Sequence, residues 1–285
     1  MIKAQNLTKD YGEGRGIFNL NFHIPKGQVV GFLGPNGAGK TTTIRFLLGL
    51  ISSKDSKVSI SELDCFNEQA LIQKFTGYLP GELTFIDGFN GEEFLHFMAD
   101  LKGVDDLSYA KKLIHTFELK LDMPIKKMSK GMKQKLGIII AFMDKPEVLL
   151  LDEPSSGLDP LMQQRLIELI LEHKKLGATI FLSSHIFEEV EKTCDRVMII
   201  KNGHIVEDNI VEEIKTQFGK EYIIEFKTNK DAKAFINQYG GKSYSHKKVS
   251  FLVETNVNDL IQYLTQYDVI DVSRKDQSIE EIFLK

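Results

Sequence analysis

The sequence predicts an α/β fold in two parts, a large first part built on buried strands and a small α+β second part. Three observations predict it. The first is VVGFLGPNGAGKTTTIRFLLGL, Val29 to Leu50, where an apolar run enters a glycine-rich turn and leaves with helical periodicity. The second is PEVLLLDEP, an apolar run that ends on two acids. The third is a change after Lys215, where glycine-rich turns give way to plain alternation of strand-like and helix-like segments. The expected division is 1–215 and 216–285.

Composition bounds what these parts can do. A chain of 285 residues, 27% charged and 42% hydrophobic, has room for one large or two ordinary domains. A net charge of −4 and a pI near 6.0 argue against nucleic acid as the main partner. Cys65 and Cys194 stand alone, which suggests neither a disulfide framework nor a zinc cluster. The start, MIKAQNLTKDYG, has no signal-peptide apolar core, and runs such as Ile138 to Met143 are too short to span a bilayer. Work at a membrane would require another chain to cross it.

The first element is the turn. Gly34, Gly39, Lys40 and Thr41 fit G-x-x-x-x-G-K-S/T between a strand (Gln28 to Leu33) and a helix starting near Lys40. Glycines let the backbone of Asn36, Gly37, Ala38, Gly39, Lys40, Thr41 and Thr42 curl around phosphate oxygens, and the helix N-terminus adds positive potential. Lys40 is expected to reach the β- and γ-phosphates of ATP, and the Thr41 hydroxyl to ligate Mg²⁺.

In the second element, Val148 to Leu151 read as a buried parallel strand with Asp152 and Glu153 at its C-terminal end, where open α/β sheets bind ligands. Asp152 is placed to hold Mg²⁺ through water and Glu153 to polarise an attacking water. That division suits hydrolysis. No N-K-x-D segment is present to read guanine. Between the two elements, KKMSKGMKQKLGIIIAF opens an amphipathic helix at Ser129 with Gly131 in its first turn. A serine hydroxyl, a glycine and a helix N-terminus make an anion site, while lysines 126, 127, 130, 133 and 135 read as a solvated basic face.

Taken in order, these segments resemble the nucleotide-binding subunit of an ABC transporter over about Met1 to Lys215. The resemblance implies a P-loop NTPase fold of the ABC ATPase type, a mixed sheet core plus a helical subdomain at about 85–145. It makes Gly34 to Thr42 the Walker A segment, Leu149 to Glu153 the Walker B, Ser129-Lys130-Gly131-Met132 the signature, and Ser156-Gly157-Leu158-Asp159 the D-loop. Tyr11 matches the aromatic that stacks on adenine, and His185, after IFLSS, the switch histidine at the γ-phosphate. Glu153 and His185 are then catalytic, and Thr41 and Asp152 hold the metal. Ser129, Gly131 and Asp159 join the nucleotide site across a head-to-tail dimer; Asp159, before Pro160, also reads as a helix cap.

The implied partners are a separate transmembrane permease and a second ATPase subunit, identical or different, at the cytoplasmic face of the membrane. Phe85, Phe89, Phe94, Phe97 and Met98 lie where the family docks its permease. Two departures matter: the signature carries Lys130 and Met132 where Gly and Gln are common, and GYLPGELTF has Gly81 where the Q-loop glutamine usually stands. Glycine offers no ligand there, and the role is not transferred to Glu82. Both departures are similar to the branch serving ABC-2-type exporters of drugs, bacteriocins and peptide toxins. A soluble ABC protein of translation or DNA repair is the second reading, but it would call for paired ATPase domains or a long coiled coil.

The second part carries no chemistry in its pattern. EYIIEFKT reads as a strand, Asp231 to Tyr239 as a helix, and KSYSHKKVSFLVE as one long or two short strands. Asp259 to Tyr267 is helical, Val269 to Ser273 strand-like, and SIEEIFLK a closing helix. The order approximates β-α-β-β-α-β, a ferredoxin-like unit with an accessory or dimer-stabilising role.

Overall fold

Strands that are apolar on both faces form the centre of the larger unit. In a computed structural model of the chain, residues 1–217, 220–253 and 257–275 are described. Two compact units divide it, Met1–Asn209 and Ile210–Lys285. The division falls a little before the expected one, because the helix Val211–Gln217 belongs with the second unit.

An antiparallel sheet is made by β1 (Ile2–Asp10), β2 (Gly16–Ile24), β4 (Lys57–Ile60) and β5 (Leu63–Asp64), in the order β2-β1-β4-β5. The second sheet contains β3 (Val29–Leu33), β6 (Thr76–Leu79), β7 (Val148–Asp152), β8 (Thr179–Ser184), β9 (Arg196–Lys201) and β10 (His204–Ile210). Its order is β10-β9-β3-β8-β7-β6, and β9, β3, β8, β7 and β6 run parallel. Every residue of β3, β7 and β8 is buried, as expected for parallel strands covered on both faces. Placing β3 and β7 on either side of β8 brings the glycine-rich turn and the acid pair to the same sheet edge.

The helices follow their caps and apolar stripes. They are α1 (Lys40–Leu47), α2 (Gln69–Gln73), α3 (Gly91–Lys102), α4 (Ser108–Thr116), α5 (Lys130–Phe142), α6 (Pro160–Lys175) and α7 (Phe187–Thr193). One core joins α1 to both sheets: Phe22 and Phe32 meet Phe181 at 6.0 and 5.2 Å between ring centroids. Between β6 and β7 the helices α3, α4 and α5 form a separate layer, with α5 against both others. Asn90 and Glu93 close a capping box at the start of α3, and Gly103 ends it in a left-handed conformation.

The second unit begins with α8 (Val211–Gln217) and continues as β11 (Lys220–Phe226), α9 (Asn229–Tyr239), β12 (Lys242–Ser245), β13 (Lys248–Val253), α10 (Val257–Leu264) and β14 (Val269–Lys275). From β11 on, the described elements run β-α-β-β-α-β in an antiparallel sheet ordered β12-β13-β11-β14. KSYSHKKVSFLVE is two strands, not one, since it turns at His246 and Lys247. Phe226, Phe235, Ile224 and Val249 are fully buried, and Tyr239 stacks on Tyr263 at 4.2 Å. The closing helix expected at SIEEIFLK lies outside the described residues.

Candidate functional site

The turn after β3 closes around its own lysine. Gly37 and Gly39 adopt φ +80° and +114°, a region that side chains rarely enter, so the chain can fold back toward α1. A Cβ on Gly39 would meet Ile17 Cγ2 at 2.3 Å, so this position excludes one twice over. Lys40, 6% exposed, begins α1 and points back into the turn. Its ammonium donates to the carbonyls of Gly34 (2.7 Å) and Pro35 (3.2 Å) and lies 3.1 Å from Glu153 Oε1.

The acid pair meets this turn from β7. Thr41 Oγ1 donates to Asp152 Oδ2 at 2.7 Å, and Ser183 donates to Asp152 Oδ1. Asp152 is almost fully buried, so these two hydroxyls are what keep its carboxylate satisfied. Glu153 holds φ +49°, an uncommon conformation for a residue with a side chain. Its N–H is fixed to Ser183 O (3.0 Å), and Ser156 N–H donates to its carbonyl (3.1 Å). The carboxylate therefore stands between two nitrogens, Lys40 Nζ and His185 Nδ1, the latter 2.5 Å from Oε2. His185 follows β8 directly and is about half exposed.

A cavity of about 260 Å³ opens over this cluster, lined by Tyr11, Arg15, Gly16, Asn36, Gly37, Gly39, Lys40, Thr41, Thr42 and Glu153. Tyr11 is 48% exposed at its rim, with Lys9 Nζ 5.7 Å from the ring centre. An aromatic at one end, a cationic turn at the other and a carboxylate beside it suit a flat base joined to a polyphosphate.

Known proteins resemble this chain in sequence and fold. The ABC transporter family model matches residues 17–156. The bacitracin transport ATP-binding protein BcrA of Bacillus licheniformis is 32% identical over 100% of this chain and 96% of its own length. The lantibiotic transport ATP-binding protein SrtF of Streptococcus pyogenes is 36% identical over 72% of this chain and 89% of its own. A solved ATP-binding subunit of an ABC transporter superposes with a TM-score of 0.70 at 31% identity, covering 76% of this chain and 92% of that one. The chain belongs to the ABC transporter ATP-binding family. Dimeric ABC cassettes at 22% identity share the fold, with a TM-score of 0.67 for one of them.

In this ABC ATPase the remaining sequence candidates lie apart from the cavity lining. Ser129 caps α5, accepting from Met132 N–H at 3.2 Å, and Asp159 caps α6, accepting from Met162 N–H at 3.0 Å. Gly131 faces the D-loop of its own chain, where a Cβ would come within 2.9 Å of Gly157 O. Ala38 is buried, its N–H bonded to Pro35 O. Gly81 does not have a positive φ, so backbone conformation does not explain it; a Cβ there would sit 3.3 Å from Asp152 Oδ2.

Several residues escape a motif reading. Ser183 supports Asp152, Gln134 Nε2 ties α5 to Pro154 O at 2.8 Å, and Arg15 and Gly16 line the cavity. Tyr78 lies near Asp152; burial, with that charge second, pushes its phenol up to about 12. The pairing of serines at the end of IFLSS with an acid strand was the available signal, but only the β7–β8 register identifies which serine answers Asp152.

Proposed function

We propose that this ATPase hydrolyses ATP with Glu153 as general base and powers export of a peptide or drug-like substrate through a separate membrane subunit. The observation that carries the reading is the position of Glu153 between Lys40 and His185, beside the Thr41–Asp152 pair. Entering phosphate takes over Lys40 from Glu153, because a polyphosphate offers the ammonium more negative charge than one carboxylate. The freed carboxylate takes a proton as the water oxygen bonds to the γ-phosphorus and the bond to the β-phosphate oxygen breaks, releasing ADP. His185 steadies Glu153 through Nδ1, and the γ-phosphate contact is its second role in this reading.

Thr41 Oγ1 and Asp152 Oδ2 are hard oxygen donors that fit Mg²⁺. When bound, that ion neutralises charge on the phosphates. Substrate oxygens and water would complete the shell of such an ion.

Ser129, Gly131 and Asp159 lie outside their own chain's cavity, which supports their serving the nucleotide of a second ATPase subunit. Phe85 and Phe89 line a groove of about 400 Å³ with Ile86 and Lys126, while Phe94 beneath is buried. That groove is the proposed permease contact, at the cytoplasmic face of the membrane; no described helix is long and apolar enough to cross it. The transport names of the bacitracin and lantibiotic relatives support the export reading.

Glu153→Gln tests the chemistry. ATP binding should persist or tighten, since Lys40 loses a competing anion, and turnover should fall about 10²-fold or more. With ATP and Mg²⁺ the variant should run as a dimer on size exclusion, and adding Ser129→Arg should break it. Normal turnover in Glu153→Gln would refute the assignment.

A further inference from the structure

A second carboxylate lies behind the first and has no role in the steps above. Glu189, on α7, is 4% exposed. Its Oε2 accepts from Ser184 Oγ at 2.7 Å, and Ser155 lines the same cavity as Glu189. Its Oε1 is buried without a hydrogen-bond partner among the described residues. Burying a carboxylate so incompletely satisfied is costly.

We propose that Glu189 is a positioning residue for hydrolysis, holding through Ser184 the turn that carries His185, the partner of Glu153. Ser184 precedes His185 and is fully buried at the end of β8. Because its hydroxyl proton is committed to Glu189, its oxygen is left to accept from Ile186 N–H at 3.0 Å. That pair of bonds pins the backbone on both sides of His185, whose Nδ1 must meet Glu153 Oε2. Ser155 stands two residues after Glu153, in the turn where Glu153 keeps its positive φ.

Glu189 is itself anchored. The next residue, Val190, packs so closely on β3 that a Cβ on Gly31 would come within 2.4 Å of it. One carboxylate on a seated helix thus references the His185 turn to the strand that leads into the phosphate-binding turn. Burial raises its pKa to about 7, with the Glu153 charge adding to the effect and the two serine hydroxyls opposing it.

The proposal rests on the reading of Glu153 as general base, and kinetics of the full-length chain separate the two. Glu189→Ala and Ser184→Ala should each lower kcat about tenfold while KM for ATP stays within about twofold, since misplacement near the reacting atoms costs rate before binding. The double variant should be no worse than the more damaged single, because both remove one chain of contacts. Glu189→Gln should recover to within about threefold of wild type, its amide oxygen still accepting from Ser184.

Wild-type kcat in Glu189→Ala, with Glu153→Gln inactive, would overturn the positioning role alone. Normal turnover in Glu153→Gln would instead bring down the general-base reading. A loss in Glu189→Gln equal to that in Glu189→Ala, or additive losses in the double variant, would also overturn the positioning role. Should Glu189→Ala not fold by thermal melt, Ser184→Ala decides: unchanged kcat refutes, a selective fall in kcat supports.

Discussion

Near the ends of β7 and β8 the larger unit buries Lys40, Asp152, Ser183, Ser184 and Glu189, whereas the smaller unit fills its interior with Phe226, Phe235, Ile224 and Val249. Among the described residues of the smaller unit Ser250 is the one buried polar side chain. The contrast separates two uses of a folded interior. Buried ionisable groups cost free energy unless each is met by a partner, and here the partners are hydroxyls, carbonyls and opposite charges set by neighbouring strands. Buried aromatics need only area and fit. An interior of the first kind can bind and turn over a charged substrate; one of the second kind supplies stability.

The sharpest way to break this contrast is at Phe235, which meets Phe226, Tyr239, Phe251 and Tyr267. Phe235→Ala should destabilise the smaller unit by about 3–5 kcal/mol, read as a separate low-temperature transition on melting. ATP affinity should stay within about twofold, and a larger change would show that the smaller unit contributes to the site. Next is Lys40→Ala, which should weaken ATP binding about 10²-fold by fluorescent-analogue titration. Unchanged affinity would remove the phosphate-binding assignment.

A pH test reaches a different buried polar group of the larger unit. His173 bonds Tyr109 Oη at 3.0 Å and packs edge-on to Phe142, and burial lowers its pKa to about 4. Its depressed folded value means that the stability it permits is fully present above an unfolded pKa near 6.5 and is lost as pH falls toward 4. Between pH 7 and pH 5 the wild type should lose about 2 kcal/mol more than His173→Gln in urea melts. Equal losses would contradict a neutral buried imidazole.

The smallest effect is expected at Gly81→Gln. The new Cβ would stand 3.3 Å from Asp152 Oδ2, so the longer side chain crowds the metal-facing carboxylate. A few-fold change in the Mg²⁺ dependence of turnover is expected, with melting unchanged because no positive φ is lost. A lowered melting temperature with normal Mg²⁺ dependence would make Gly81 a packing residue.

Much of the site was legible because its requirements are local. Lys40 and Thr41 follow glycines whose spacing is set by the turn, and Asp152 and Glu153 follow an unbroken apolar strand. Ser184 and Glu189 were not legible, since a serine ending a strand and a glutamate in an EExEK run read as surface residues. Only the seating of α7 on β3 buries them.

By itself the sequence determined the strands that lead into the glycine-rich turn and the acid pair, the turn itself, the caps at Ser129 and Asp159 and the approximate β-α-β-β-α-β order of the second unit. These depend on side-chain period, allowed φ and capping, which act within a few residues. Tertiary structure decided that Glu153 would stand between Lys40 and His185, that Ser183 would answer Asp152, and that Gly81 would face the same carboxylate. Those contacts join residues far apart in the chain. The first two exist because β8 lies between β3 and β7, and the last because β6 pairs with β7; which strands become neighbours is a property of the whole packed sheet.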